Sequence, residues 1–456
     1  MSNTASGTLH GFIDSSAPAV RQFLGMAAPC TQICPTAIVN ATSFGLSCPQ
    51  IPLNATAPAN VYTANGGGQT EFFPRQEFSE DCLTLNVWAP AQPQSAMLPI
   101  IVWFFGGGFT QGGADSLYFN AAPWVQRTQA HIVVSANFRT NIFGFPNAAG
   151  AAEQNPGLLD QRAALEWVRD NAAAFGGDAA RIVAWGESAG AIAVDYLNFA
   201  FYEDPIVTGF IMDSATALFP ERVKTTDTAQ ANFAAVAAQL GCGGGAPASQ
   251  IDCLRGVEWQ AIETVLAANA TLSFLPVPDE RVVFANYTAR YGAGLLAHVP
   301  ALLGTNQHEL NALGAQVPGF PNQTLIDAET DPAFLCTAAA TAQLRQAQGR
   351  TTYRFRYDGN FTNISPPGFT GAYHASELPL IFGTAGQFHG PSTAYEDEVS
   401  GRLQDLWLAF AQDPEKGLQN AGWDTFGAGK AVFLGDADTP MKEVDVQELD
   451  GACAKK

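Results

Sequence analysis

Short, nearly uninterrupted apolar runs recur along the chain: LPIIVWFF (98–105), AHIVVSAN (130–137), RIVAW (181–185), TGFIMDS (208–214) and VPALLGT (299–305). Runs of this length and purity predict buried strands. Between them, GLLDQRAALEWVRDNAAAFGG repeats Leu159, Ala163, Ala164, Trp167, Val168 and Ala172 at helical spacing, with Gly176 as its stop. Helical patterning returns from about Thr228 to Leu240 and in GRLQDLWLAFAQ (401–412). Strands alternating with helices predict an α/β protein with a central, mostly parallel sheet flanked by helices. There is no internal repeat and no linker long enough to divide the chain, so residues 1–456 are expected to form one domain.

RIVAW runs directly into Gly186-Glu187-Ser188-Ala189-Gly190, and the small apolar residues after it open a helix. Ser188 therefore falls at a strand-to-helix turn, the setting of a nucleophile elbow. So sharp a turn brings neighbouring backbone together. That favours glycine at 186 and 190, lifts the Ser188 hydroxyl clear of the sheet and aims the Ala189 N–H beside it. The competing reading is a glycine-flanked serine that only caps the helix. An acyl-transfer serine also needs donors for the negative charge that develops on the carbonyl oxygen. WFFGGGFTQGG (103–113) follows an early strand and exposes backbone N–H groups, so Gly107 and Gly108, with Ala189, are the candidate oxyanion donors. A plain turn is the alternative. A Walker phosphate loop is excluded, because no Gly-Lys-Ser/Thr follows.

In this architecture the acid and the histidine follow the serine in the chain. VPALLGTNQHEL places Glu309 just past a strand end, which leaves His374 in GAYHASELPLIFG and His389 in GQFHGPS as downstream bases. Both lie in glycine-containing loops, and the residues alone do not choose between them.

Composition narrows the function classes. Hydrophobic residues make up 47% and charged ones 14%, which describes a folded core. A net charge of −20 repels phosphate backbones and anionic membrane surfaces, so no nucleic-acid partner is expected. No apolar run approaches the roughly 20 residues of a transmembrane helix. The N-terminus has neither a basic nor an apolar signal region, so a signal peptide is absent from this chain or removed from it. Eight cysteines and seven glycosylation sequons, at Asn40, Asn54, Asn269, Asn286, Asn322, Asn360 and Asn363, favour removal and an extracellular protein. Pro366 opposes modification of the last sequon. Cys242 and Cys253 bracket GGGAPASQID, a flexible loop that a bridge between them would close. Cys30 and Cys34 resemble half a zinc site, but no matching pair follows, so no metal is expected.

Several longer segments resemble one family. SEDCLTLNVWAP (79–90), VWFFGGGF (102–109), NPGLLDQRAALEWVRDNAAAFGGD (155–178), GESAG (186–190), FLPVPD (274–279), VPALLGTNQHE (299–309) and GAYHASELPLIFG (371–383) are similar to type B carboxylesterases and lipases. These form the cholinesterase-like branch of the α/β hydrolases, and the chain looks most like its secreted fungal esterases. The resemblance implies an α/β-hydrolase fold with Ser188 as nucleophile, His374 as base and Glu309 as acid. It also implies Gly107, Gly108 and Ala189 as oxyanion donors and Ser214 as a support for the acid. Glu187 matches a glutamate found in choline-specific and general esterases alike, so a place in a polar network is as well supported as a substrate contact. The family pattern further implies bridges Cys48–Cys82 and Cys242–Cys253, leaving Cys30 with Cys34 and Cys336 with Cys453 by elimination. Glu80, Asp81, Arg139 and Asp160 match positions read as structural ion-pair residues.

Two departures from the family stand out. Phe105 occupies a position where many relatives carry His or Tyr, so packing is expected to hold the glycine loop. The stretch 310–373, which in relatives helps cover the site, is short. The implied chemistry is double-displacement hydrolysis of a small-molecule ester through an acyl-enzyme, with no cofactor required. A lipase acting on long-chain glycerides, a dedicated natural-product ester or lactone hydrolase, and a non-enzymatic binding protein on the same scaffold are the alternatives.

Overall fold

The computed structural model describes residues 2–4, 7–27, 38–53, 61–62, 70–93, 95, 97–219, 226–312, 322–365 and 370–453. A small sheet at the N-terminus joins β1 (Ser2–Thr4), β2 (Gly7–His10) and β4 (Ile38–Asn40). The main sheet has ten strands: β3 (Val20–Ala27), β5 (Thr84–Pro90), β6 (Leu98–Phe104), β7 (Ile132–Ala136), β8 (Gly177–Glu187), β9 (Gly209–Asp213), β10 (Ala301–Asn306), β11 (Thr352–Tyr357), β12 (Lys430–Asp436) and β13 (Thr439–Asp445). Their order across the sheet is β13-β12-β11-β10-β9-β8-β6-β7-β5-β3. From β12 through β7 every pairing is parallel, and β13, β5 and β3 add antiparallel edges.

Each of the five apolar runs lies in a strand of this sheet. All residues of β6, β7, β9 and β10 are buried, as expected where helices cover both faces and no position can be spared for water. The pattern did not identify β3, β5, β11, β12 or β13, whose polar residues break the apolar signal. In TYRFRY, for example, Arg354 is fully buried because it pairs with Asp450 at 2.8 Å.

The helix Pro156–Phe175 starts with proline in its first turn and ends on Gly176 at φ 91°, a left-handed C-cap that glycine adopts without penalty. Its buried face carries Leu158, Ala164, Leu165, Trp167, Val168 and Phe175, whereas Leu159 and Ala163 are only half-buried. The face is rotated from the expected one because Gln161 and Arg162 are also buried. The helix delivers the chain into β8, the strand that ends at the candidate nucleophile.

Disulfides link Cys48 to Cys82, Cys242 to Cys253 and Cys336 to Cys453, with Cα separations of 4.9, 5.6 and 5.3 Å. Cys30 and Cys34 lie outside the described residues. The segment between Cys242 and Cys253 is no loose loop: it contains a helix, Pro247–Leu254, which the bridge ties to the end of the helix Thr226–Gln239. Together with the helix Trp259–Ala268 these form a satellite core around Val236, Leu254, Ile262 and Phe274. Among the described residues no helix is long and apolar enough to cross a membrane.

Candidate active site

The elbow is built from close contact that only glycine allows. Ser188 sits between β8 and the helix Ala189–Ala200 at φ 56° and ψ −124°, and its N–H donates to the Asp213 carbonyl at 2.8 Å. A Cβ on Gly186 would lie 2.3 Å from the Gly190 backbone, and one on Gly190 would lie 2.1 Å from the Phe104 carbonyl oxygen. The Ser188 side chain makes no capping hydrogen bond, so its hydroxyl is not spent on the helix N-terminus.

The glycine loop that follows β6 passes directly against this elbow. A Cβ on Gly106 would lie 2.6 Å from Glu187 Oε2 and 2.9 Å from Ser188 Cβ, a requirement that neither motif states on its own. Gly107 and Gly108 have φ of 102° and 65°. The loop is held by packing, as the departure at 105 led us to expect: Phe105 stacks on Phe138 with centroids 4.3 Å apart. Polar contacts add to this. The buried Gln50 side chain accepts from Gly112 N–H at 2.8 Å and donates to Gly112 C=O at 2.9 Å.

Glu309 opens a 3₁₀ turn three residues beyond β10, and His374 lies in the loop after β11. Glu309 Oε2 is 2.6 Å from His374 Nδ1, and its Oε1 accepts from Asn306 N–H at 2.8 Å, so both carboxylate oxygens of this fully buried residue are engaged. The two are also joined through the backbone, His374 N–H donating to Glu309 C=O at 3.2 Å. The Tyr62 hydroxyl donates to the His374 carbonyl, and the Phe334 ring lies edge-on to the imidazole at 5.4 Å. His389 is elsewhere, paired with Glu71 at 2.9 Å.

Ser188, His374, Glu187 and Gly106–Gly108 line one cavity of about 280 Å³, whose remaining walls include Tyr62, Phe72, Phe73, Phe105 and Phe119. A larger cavity, about 700 Å³, opens between Arg139, Phe143 and the disulfide-closed helices; among the described residues no serine, cysteine or histidine lines it. Glu187 meets the imidazole from the side opposite Glu309, with Oε1 3.0 Å from His374 Nε2. Burial pushes the Glu187 carboxyl up to about 7; the imidazole pulls it down and Glu309 adds to the rise. Two further buried carboxyls lie behind the site and are also held well above the usual range by burial: Asp213, which accepts from Trp185 Nε1 at 2.6 Å, and Glu377, which accepts from Asn306 Nδ2 at 2.5 Å.

A model of the carboxylesterase family matches residues 2–319 and 314–447 of this chain. The chain belongs to that family. It is an α/β hydrolase and a serine-type ester hydrolase. A chlorogenic acid esterase from Aspergillus niger is 41% identical over 433 residues, covering 91% of this chain and 83% of that protein. Secreted lipase 5 of Gibberella zeae is 40% identical over 469 residues, covering 92% and 86%. An acetylcholinesterase of Electrophorus electricus is 36% identical over 424 residues, covering 74% and 67%.

Within this carboxylesterase, two sequence expectations need correction. Ser214 Oγ is buried with no hydrogen-bond partner among the described residues, and Glu309 Oε1 takes its hydrogen bond from Asn306 N–H instead. Arg139 and Asp160 form a bidentate ion pair at 2.6 and 2.8 Å, but Glu80 and Asp81 are exposed and form no ion pair among the described residues. Asn306, Gln50 and Tyr62 were not anticipated, and no local motif announces them. Glu377 stands three residues after His374 in HASE, a spacing that offered a signal. Among the described residues no group of three or more His, Cys, Asp or Glu could hold a metal ion.

Proposed function

We propose that the enzyme is a secreted carboxylesterase that works through Ser188, His374 and Glu309. The observation that carries the reading is the Glu309–His374 contact of 2.6 Å at the cavity that Ser188 lines. His374 Nε2 takes the Ser188 proton as Oγ attacks the ester carbonyl, and the oxyanion is received by Gly107, Gly108 and Ala189 N–H groups. His374 then returns the proton to the leaving alcohol, and an acyl-enzyme remains. Water, deprotonated by the same imidazole, attacks the acyl carbonyl and releases the acid, and Ser188 recovers its proton. Glu309 fixes the tautomer and stabilises the imidazolium. For Nε2 to face Ser188, Glu187 must yield its contact when the ester binds.

Five aromatic rings around a cavity of about 280 Å³ favour a compact ester with a flat acyl or alcohol group over a long-chain glyceride. The relative named chlorogenic acid esterase agrees with that preference. Residues 310–373 are read as a short cap on a single hydrolase domain, a reading supported by Phe334 against His374. Three disulfides and the secreted relative support an extracellular location.

The test is acyl-chain selectivity with p-nitrophenyl esters and chlorogenic acid, beside a Ser188→Ala control. Activity on short and aryl esters, lost in the control together with fluorophosphonate labelling, is the expected result. Rates that climb with chain length and jump above substrate solubility would make it a lipase. Unlabelled, inactive wild type would refute the mechanism.

A further inference from the structure

The oxyanion loop is strained and needs an external hold. Gly107, Gly108 and Phe109 are three successive residues with positive φ, at 102°, 65° and 64°. Phe109 is not a glycine, so its conformation costs free energy that the surroundings must offset. Its ring packs edge-on against Phe145 at 5.3 Å, and its carbonyl accepts from Asn141 N–H at 2.7 Å. Asn141 is itself left-handed, at φ 43°, so the direction of that N–H depends on what fixes Asn141. Its side-chain amide is the anchor: Nδ2 donates to Glu263 Oε1 at 2.7 Å and to the Pro49 carbonyl at 3.2 Å. Glu263 lies on the helix Trp259–Ala268 of the satellite core, is only 4% exposed, and leaves its second oxygen buried with no partner among the described residues. A buried carboxyl with one hydrogen bond and an unsatisfied oxygen is a poor choice for stability alone.

We propose that Glu263 is a positioning residue for the oxyanion hole: through Asn141 it fixes the N–H that holds Phe109 C=O, and so the aim of the Gly107 and Gly108 N–H groups. The inference rests on the hydrolytic reading of that loop. It gives the satellite helices a part in catalysis although no described residue on them lines the cavity that Ser188 shares.

The experiment is a kinetic cycle on the full chain with Glu263→Leu, Glu263→Gln, Asn141→Gly and the Glu263→Leu/Asn141→Gly double variant. Asn141→Gly removes the strut side chain while tolerating the positive φ. Glu263→Leu should lower kcat roughly 10- to 100-fold with KM nearly unchanged, because misaligned donors act on the transition state. Binding of a trifluoromethyl ketone, which forms a tetrahedral adduct, should weaken by the same factor. Glu263→Gln keeps the acceptor and should restore turnover to within about threefold of wild type. In the Asn141→Gly background, Glu263→Leu should have no further effect. The inference is overturned if wild type is active, Ser188→Ala is not, and Glu263→Leu keeps kcat while only its melting temperature falls. It is overturned equally if the two substitutions multiply independently. Should Glu263→Leu fail to fold, Asn141→Gly alone decides: unchanged kcat and ketone affinity refute the strut. An inactive wild type fails the hydrolytic reading itself, before any variant is compared.

Discussion

Glu263 also makes a prediction about stability that is independent of turnover. Burial raises its carboxyl from 4.5 to about 7, and the Asn141 hydrogen bond offsets only part of that rise. The folded protein therefore holds this proton to higher pH than the unfolded chain does. Below pH 4.5 both states are protonated and the group is neutral in effect. Between pH 4.5 and 7 the unfolded chain ionises first, and folding loses stability as the pH rises. Above pH 7 the loss is complete, on the order of 3 kcal/mol. Glu263→Gln retains an oxygen for Asn141 Nδ2 and cannot ionise, so the loss disappears. An unfolding entropy on the order of 1 kcal/mol/K for a chain this long makes the gain about 3 °C in Tm at pH 8 and close to zero at pH 4.5. Differential scanning fluorimetry of wild type and variant across that range isolates the residue, since every other titrating group is common to both. A Tm difference that does not change with pH, or a variant that is less stable at pH 8, would refute the linkage.

Three further outcomes test other parts of the structure. Glu309→Gln leaves the ring in place but removes the charge 2.6 Å from Nδ1, so kcat should fall on the order of 10³-fold or more with KM little changed, in initial-rate assays on a p-nitrophenyl ester. Gly190→Ala would put a Cβ 2.1 Å from the backbone oxygen of Phe104, which has no room to yield; loss of activity and a stability drop of about 3 kcal/mol or more should appear in kinetics and urea denaturation. In a secreted preparation, glycopeptide mapping should find Asn286 and Asn322 modified and Asn363 not. The first two are exposed and cap helices through the amide oxygen, whereas Asn363 is buried and spends Nδ2 on Ala385 C=O and Glu396 Oε1, both at 3.0 Å.

What could be read in the sequence was what depends on neighbours in the chain. The buried strands and the long helix show in periodicity, and the elbow shows because two glycines must flank a serine where backbones touch. His374 and His389 were equivalent at that level. The family resemblance chose His374, and the fold sets it against Glu309 and His389 against Glu71. Nor could local pattern reveal the residues behind the site. Gln50 reaches Gly112 across 62 positions, Asn306 reaches Glu377 across 71 and Asn141 reaches Glu263 across 122. Composition hides them too, since a buried glutamate or asparagine looks like a surface one until its partner is known. Strain is the physical link between the two levels. Five non-glycine residues with positive φ, Phe109, Asn141, Ser188, Ser214 and Ala375, belong to the elbow, the loops around it or the strut behind it. Such conformations persist only where contacts over-determine them. Ser188 alone is flanked by glycines that announce its strain. Phe109, Asn141 and Ser214 are held by hydrogen bonds from distant segments and Ala375 by packing, and those long-range holds are where the site's geometry is decided.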